Sequence, residues 1–260
     1  MKIKFIGVGA AFAASEYFHS NMLITADSGK RILIDCGCDA RFSLHEAGID
    51  LDNLPTELDA VYISHLHSDH IGGMEWLAFN TFFHKAPKRL NLFMEKKMMA
   101  EMWEHSLKAG LQYIGDKDMT LSDYFTCHPL KDNATFKWEG ISFTLMKMPH
   151  IVSEDNTLFS FGLLIKNSGK TSRPVFITTD TKFQPDTIES MADKVSTIFH
   201  DCETSSMRTH VHAHYSELKA LPLHVKSKMW LYHYQPNATC DPAADGFKGL
   251  IQKGQEFDFS

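Results

Sequence analysis

The most constraining feature of the chain is residues 63–73, whose sequence is ISHLHSDHIGG. Within six positions this segment places three histidines and one aspartate, namely His65, His67, Asp69 and His70. The preceding residues 58–64 alternate and end in β-branched and aromatic residues, which predicts a strand. Gly72 and Gly73 permit a tight backbone path into residues 74–79, which are predicted to be helical. Side chains in a short turn between a strand and a helix can converge on one point.

Imidazole and carboxylate side chains at this spacing predict a metal site. His65 and His67 are two positions apart and can share one face. Asp69 and His70 follow beyond a turn and can point to a second centre. Zinc and similar metals accept both kinds of ligand. A lone histidine is more often a surface or core residue, but three histidines and an aspartate in one turn are hard to explain in that way.

The overall composition is that of a soluble globular protein. The chain has 260 residues, of which 43% are hydrophobic and 22% are charged. Residues 1–260 are therefore expected to form one domain with a sizeable core. No apolar run approaches the roughly 20 residues that cross a bilayer. The formal net charge of −6 argues against a large nucleic-acid interface, because such an interface needs a basic face.

The cysteines and the N-terminal residues bear on the cellular compartment. Five cysteines are an odd number without a disulfide framework, so we expect a reducing, cytoplasmic setting. The pair Cys36 and Cys38 is a weak metal or redox motif. We favour the interpretation that the two cysteines are small residues at the end of a strand. Residues 1–15 resemble a short signal peptide, but residues 2–6 alternate as a first strand does, and we favour the strand.

The hydrophobic pattern predicts strands interspersed with helices, arranged as two sheets with outer helices. Strands are predicted at residues 2–8, 21–25, 31–36, 60–64, 89–94, 134–138, 141–148, 158–166, 174–179, 197–200 and 229–234. Helices are predicted at residues 41–48, 74–79, 95–108, 120–125, 185–195 and 216–221, and a polar turn at residues 167–170. Residues 95–108 carry a methionine and tryptophan stripe, which we interpret as core or as an exposed subunit contact.

Three further metal-type residues lie at the ends of, or within, predicted strands. His150 follows the strand at 141–148, Asp180 follows the strand at 174–179, and His233 lies within the strand at 229–234. Each residue alone could be structural. In this order after the first motif, the set is far more specific for a metal centre.

The complete set resembles a known family. His65-x-His67-x-Asp69-His70, followed by His150, Asp180 and His233, resembles the metallo-β-lactamase superfamily, in particular its ribonuclease Z-like phosphodiesterase branch. The resemblance covers nearly the whole chain, from residues 5–9 and 32–37 to the last histidine. It implies an α/β fold, the αββα metallo-β-lactamase sandwich, in which two mixed β-sheets are flanked by helices and carry a dinuclear metal site at one edge.

The same resemblance implies a role for each ligand. His65, His67 and His150 would hold one metal ion, Asp69, His70 and His233 would hold the other, and Asp180 would bridge the two. The implied cofactors are two divalent ions, zinc in the first place and manganese as the alternative. The aspartate at 180 and the histidine at 70 favour a phosphodiesterase over a β-lactamase. Asp69 also counts among the expected catalytic residues, and metal-activated hydroxide would attack phosphorus.

Two more segments are similar to ribonuclease Z elements, one of which supplies a general acid. Residues 200–204, HDCET, resemble the His-Glu-Ala-Thr segment, and residues 212–216, HAHYS, resemble the His-Ser-Thr segment. His212 and His214 both remain candidates for the acid. We favour His214, because it lies two positions before Ser216, and we expect Asp201 to orient its imidazole and keep it protonated.

The expected substrate is a small phosphodiester. His150 and Asp180 are 30 positions apart, and predicted strands fill that span, which leaves no room for the arm by which ribonuclease Z grips transfer RNA. The chain is similar in pattern to small cyclic-nucleotide phosphodiesterases, including the anti-Pycsar proteins. That resemblance implies a homodimer that hydrolyses cyclic AMP, GMP, CMP or UMP. An RNA 3′ endonuclease and a non-enzymatic metal-binding protein are the alternatives.

Overall fold

The first half of the chain forms most of one seven-stranded sheet in the computed structural model, which describes residues 1–167 and 173–259. Its strands are β1 (Lys2–Phe5), β2 (Met22–Thr25), β3 (Arg31–Ile34), β4 (Ala60–Ile63), β5 (Leu90–Glu95), β8 (Phe125–Leu130) and β16 (Glu256–Asp258). They are ordered β16-β1-β2-β3-β4-β5-β8. Strands β3, β4, β5 and β8 run parallel, so their carboxyl ends lie at one edge of the sheet.

The second half forms the other seven-stranded sheet. Its strands are β9 (Thr135–Trp138), β10 (Ile141–Val152), β11 (Thr157–Asn167), β12 (Val175–Ile177), β13 (Thr197–Asp201), β14 (Met229–Tyr232) and β15 (Gly249–Leu250). They are ordered β15-β14-β13-β12-β11-β10-β9. Strands β12 to β15 run parallel. A small separate hairpin pairs β6 (Tyr113–Ile114) with β7 (Lys117–Asp118).

Helices cover the outer face of each sheet. The first sheet is covered by α1 (Ala40–Glu46), a 3₁₀ turn (Leu51–Asn53), α2 (Leu54–Glu57), α4 (Met74–Phe82), α5 (Lys96–Met102), a π-helical turn (Trp103–Leu107), α6 (Lys108–Leu111) and α7 (Leu121–Tyr124). The second sheet is covered by α8 (Pro185–Ala192), α9 (Tyr215–Leu218) and α10 (Leu223–Lys226). The single helical turn α3 (Ser68–Ile71) follows β4 at the edge where the strands end.

The two sheets bury their inner faces against each other, because alternate residues of each strand point to the same side. Phe5 of β1 meets Phe199 of β13 edge to face, with ring centroids 5.0 Å apart. The buried hydroxyl of Tyr62 in β4 donates to the carbonyl of Phe161 in β11 at 2.7 Å, which ties the sheets together beside the histidine-rich turn. The architecture is an αββα sandwich, as expected.

The strands predicted at residues 2–8 and 60–64 are present as β1 and β4, but β1 is shorter than predicted and ends at Phe5. The prediction at residues 141–148 was too short, because β10 continues to Val152 and pairs with an almost equally long β11. Strand β8 was not predicted, since its residues alternate weakly in polarity. The predicted turn at residues 167–170 lies, beyond Asn167, outside the described residues.

The helix predicted at residues 95–108 is confirmed, because α5, the π-helical turn and α6 follow one another without a break from Lys96 to Leu111. Of the two interpretations of its apolar stripe, the structure supports the core. Met99, Met102 and Leu107 are buried beneath the first sheet, so the stripe is not an exposed subunit contact.

None of the helices in residues 1–167 and 173–259 combines the length and apolar character needed to cross a membrane.

Candidate metal centre

The seven expected ligands meet at one edge of the sandwich, where parallel strands from both sheets end. The ligand-rich segment leaves β4 and forms α3, which carries Asp69 and His70. His150 lies at the irregular end of β10, where the pairing with β11 shifts register. Asp180 and His233 follow the carboxyl ends of β12 and β14. All seven side chains are buried except that of His67, which is half-buried.

Four of these side chains form a first cluster around one point: His65, His67, His150 and Asp180. The Nδ1 atom of His67 lies 3.1 Å from Nε2 of His65 and 3.1 Å from Nε2 of His150. Oδ2 of Asp180 lies 3.6 Å from Nε2 of His65 and 3.8 Å from Nε2 of His150. Two ligands of one tetrahedral zinc ion are about 3.3 Å apart, so these separations fit a metal ion.

A second cluster shares Asp180 and consists of Asp69, His70, Asp180 and His233. Oδ2 of Asp69 lies 3.3 Å from Nε2 of His70 and 3.3 Å from Nε2 of His233. Oδ2 of Asp180 lies 3.3 Å and 3.4 Å from the same two nitrogens. One carboxylate oxygen thus faces both clusters, and the second oxygen of Asp180 is buried without a hydrogen-bond partner in the described structure.

Neighbouring groups orient the ligand imidazoles. His70 donates from Nδ1 to Oδ2 of the buried Asp35 at 2.8 Å. His150 donates from Nδ1 to the carbonyl of Val211 at 2.9 Å. His65 donates from Nδ1 to Oγ of Ser64 at 3.0 Å, and that hydroxyl donates to Asp35 at 2.7 Å. Each bond leaves the Nε2 lone pair directed into a cluster, as metal-binding histidines require.

Asp35 is the site residue that sequence reasoning missed. It follows β3, it is 1% exposed, and it also accepts a hydrogen bond from the backbone N–H of Ser64 at 2.7 Å. The signal that could have found it was an acidic residue directly after a buried parallel strand, at the sheet edge shared with the histidine-rich turn. Its backbone is left-handed, with φ of 61°. The same strained conformation recurs at Thr179, which precedes Asp180, and at the expected ligand His233 itself.

Burial and charge set the protonation of the clusters. Burial lowers the pKa of His65 strongly and that of His150 to about 4, so both imidazoles are neutral and able to ligate. Burial alone would also lower the pKa of His70 and His233, but the carboxylates around them, above all Asp180, raise it. The second cluster therefore attracts positive charge, which a cation can supply in place of protons. The donor set, its spacing and its charge fit a metal site.

The structure corrects the expected partner of Asp201. His212 donates from Nδ1 to Oδ2 of Asp201 at 2.9 Å, and the His212 ring lies 5.0 Å from that of His150, centroid to centroid. His214 instead caps α9: its Nδ1 accepts from the backbone N–H of Ser216, and its Nε2 faces the Ser205 carbonyl.

A physical difference separates these two histidines. They would share a face in an extended strand, but here the His212 ring contacts Asp201, whereas His214 is the N-cap residue of α9. The other Asp201 oxygen lies 3.4 Å from Nδ1 of His233. Asp201 thus stands between a ligand of the second cluster and His212. Burial raises the pKa of Asp201, but His212 and His233 outweigh it and hold the pKa at about 2.

A cleft of about 560 Å³ opens from the first cluster. The imidazoles of His65, His67 and His150 form its inner end. Its walls are the end of β5 with the start of α5 on one side and the β10–β11 hairpin on the other. A ligand in this cleft would therefore reach the metal centre through His67, the most exposed of the expected ligands.

Two mixed sheets flanked by helices, with histidines and aspartates gathered where the strands end, define a metallo-β-lactamase fold protein. The structure is similar to that of the metallo-beta-lactamase fold protein YhfI from Bacillus subtilis, with a TM-score of 0.75 and 17% sequence identity over 99% of each chain. The family model described as Anti-Pycsar protein Apyc1 matches residues 1–257. The chain belongs to that family, which confirms the resemblance inferred from the ligand motif.

Individual members of the family are similar over most of their length. The Anti-Pycsar protein Apyc1 of Paenibacillus harenae is 34% identical over 236 residues, which are 90% of this chain and 90% of the relative. The Anti-Pycsar protein Apyc1 of Bacillus phage vB_BveM-Goe7 is 29% identical over 264 residues, which cover 98% of this chain and 97% of the relative.

Proposed function

We propose that the protein is a metal-dependent phosphodiesterase that hydrolyses cyclic mononucleotides, namely cyclic AMP, GMP, CMP or UMP. The observation that carries this proposal is the position of Asp180. Its Oδ2 atom lies within 3.3–3.8 Å of histidine nitrogens from both clusters, which is the arrangement of a carboxylate that bridges two ions. The relatives named as Anti-Pycsar proteins support the cyclic nucleotide as substrate.

Two divalent ions, zinc or alternatively manganese, are the proposed cofactors. His65, His67 and His150 would hold one ion, Asp69, His70 and His233 would hold the other, and Asp180 would bridge them. The chemistry that such ions supply when bound is activation of a water molecule and neutralisation of phosphate charge. Neutral imidazoles suit this task, because a ligating histidine must present an unprotonated nitrogen.

We assign the general acid to His212, in place of the favoured His214. Asp201 accepts from Nδ1 of His212 and so holds the ring in one orientation. Nε2 of His212 has no hydrogen-bond partner among the described residues, and this atom would donate the proton to the leaving oxygen. Asp201 would act on both sides, orienting His212 and the ligand His233.

The size of the site favours a small substrate over folded RNA. The cleft of about 560 Å³ is of the size that small-molecule sites have. The β10–β11 hairpin occupies most of the span between His150 and Asp180, and the net charge is −6. A homodimer and a cytoplasmic setting remain parts of the proposal, and sedimentation of the purified protein at several concentrations tests the first.

The decisive experiment compares purified protein loaded with zinc or manganese on the four cyclic mononucleotides and on a precursor transfer RNA. We expect opening of at least one cyclic nucleotide, and loss of that activity in Asp180→Ala. Val152→Ala, a change at an exposed position of the hairpin, is the matched control. Salt-sensitive cleavage of the RNA alone would favour the endonuclease. An unchanged biological function in His67→Ala would favour a non-enzymatic role.

A further inference from the structure

The β10–β11 hairpin overhangs the opposite sheet. These strands are 12 and 11 residues long, whereas the strands of the first sheet have at most six residues. The inward side of the hairpin is apolar while it is covered, as at Leu145 and Phe161, which are both buried. Beyond the covered part, the same side continues with Lys147 and Phe159, which face the cleft. The Phe159 ring therefore points to the same side as the core residues of the hairpin, at a position that the first sheet does not cover.

The ring of Phe159 is held by charged neighbours at one side. Nζ of Lys147 lies over the ring, 4.2 Å from its centroid, within the range of a cation–π contact. The same ammonium lies 2.8 Å from Oδ2 of Asp132, which follows β8 in the opposite sheet. The ion pair therefore joins the hairpin to the segment after β8 beside the Phe159 ring. Met98 of α5 lines the opposite wall.

The lining of the cleft combines three kinds of side chain. The imidazoles of His65, His67 and His150 belong to the first cluster, Leu66, Met98 and Phe159 are apolar, and Lys147 and Glu101 are among the charged residues. This combination matches an anion that reaches the metal centre, joined to a flat apolar group with polar edges. A nucleobase attached to a cyclic phosphodiester is such a group.

We propose that the cleft is the nucleobase subsite, in which the base stacks on Phe159 and faces Met98, while the Lys147–Asp132 pair holds the ring in place. This inference rests on the proposed function, because it requires the phosphodiester to lie at the metal centre. Phe159 is then a substrate-binding residue and Lys147 is a positioning residue. Neither residue takes part in the bond-breaking step.

The test is a double-mutant cycle that removes the base from the substrate, the aromatic ring from the protein, or both. Cyclic AMP and the base-less analogue methyl β-D-ribofuranoside 3′,5′-cyclic phosphate are each measured with wild type, Phe159→Ala and Phe159→Leu. Stacking predicts that wild type prefers cyclic AMP in kcat/KM by about 5- to 100-fold. Phe159→Ala should remove most of that preference, mainly through KM, and change kcat/KM for the base-less analogue by less than about threefold. Phe159→Leu keeps apolar volume without a flat face, and it should lie between the two.

A second variant tests the positioning role. Lys147→Met keeps the length of the stem and removes the ammonium, so it should raise KM for cyclic AMP without changing kcat. Val152→Ala of the same hairpin should change neither constant.

The possible failures are distinguishable. Equal turnover of both substrates by wild type, or an equal loss on both in Phe159→Ala, overturns the subsite while the proposed function stands. No turnover of either substrate by the metal-loaded wild type overturns the proposed function and the subsite with it.

Discussion

Replacement of Asp35 by asparagine tests whether this buried carboxylate sets the tautomer of His70. Oδ1 of Asp35 accepts from the backbone N–H of Ser64, and Oδ2 accepts from the Ser64 hydroxyl and from Nδ1 of His70. In Asp35→Asn an NH₂ group takes the place of Oδ2. The Ser64 hydroxyl can rotate and accept, but the Nδ1–H of His70 then meets a second donor.

The structure gives the size of the effect. His70 can relieve the conflict only by moving its proton to Nε2, which is the atom that faces Asp69 and Asp180. A hydrogen bond to a charged group is worth about 1.5–3 kcal/mol, and loss of a residue that orients a metal ligand weakens metal binding by about 10- to 100-fold. The dissociation constant for zinc in Asp35→Asn should therefore rise by that factor.

The assay is a competition titration of zinc against a fluorescent chelator, with the unfolding midpoint measured with and without zinc. The matched control is Asp59→Asn, because Asp59 also accepts a backbone N–H; it is partly buried, lies at the opposite end of β4 and pairs with Lys88. We expect the control to lose stability and to keep its zinc affinity. A zinc affinity in Asp35→Asn within about twofold of wild type would refute the reasoning about the tautomer.

Two further predictions follow from other histidines. His212→Gln should lower kcat by about 10²- to 10⁴-fold, as the loss of a general acid does, and steady-state kinetics measures this loss. His214→Gln should keep kcat but lose about 1 kcal/mol of stability, because the α9 cap is removed, and urea unfolding measures that change. The fully buried His200 has a pKa lowered from 6.5, because burial disfavours its charged form, so the unfolded chain binds a proton that the folded chain does not. The contribution of the neutral His200 to the free energy of unfolding is complete above pH 6.5 and is lost as the pH falls. In urea unfolding, His200→Leu should therefore lose less stability than wild type when the pH is lowered.

Opposite results would contradict these assignments. A larger loss of kcat in His214→Gln than in His212→Gln would return the general acid to His214. A difference in stability between wild type and His200→Leu that stays constant from neutral to acidic pH would show that His200 is protonated equally in the folded and the unfolded chain.

The candidate ligands could be predicted from the sequence because their positions depend on local structure. Four of them occupy one turn after a strand, and the other three lie at or near the ends of apolar strands. Parallel neighbouring strands bring their carboxyl ends to one edge, so Asp180 and His233 had to lie near each other once β12, β13 and β14 paired.

Other features depended on contacts between distant segments. The role of Asp35 requires that β3 and β4 lie side by side, which places its carboxylate under His70. The apolar stripe of residues 95–108 could have faced a partner or the core with equal ease, and packing against the first sheet decided for the core.

The sequence by itself determined the fold class, the candidate metal ligands and their order, because periodicity and spacing are local properties of a chain. Only the tertiary structure decided that Asp201 meets His212 and that His214 caps a helix. Residues 204–213 between the two segments form neither helix nor strand, so no periodic pattern predicts the directions of these side chains. The direction of a loop side chain is chosen by the partners that the fold brings to it, here a buried carboxylate 2.9 Å away.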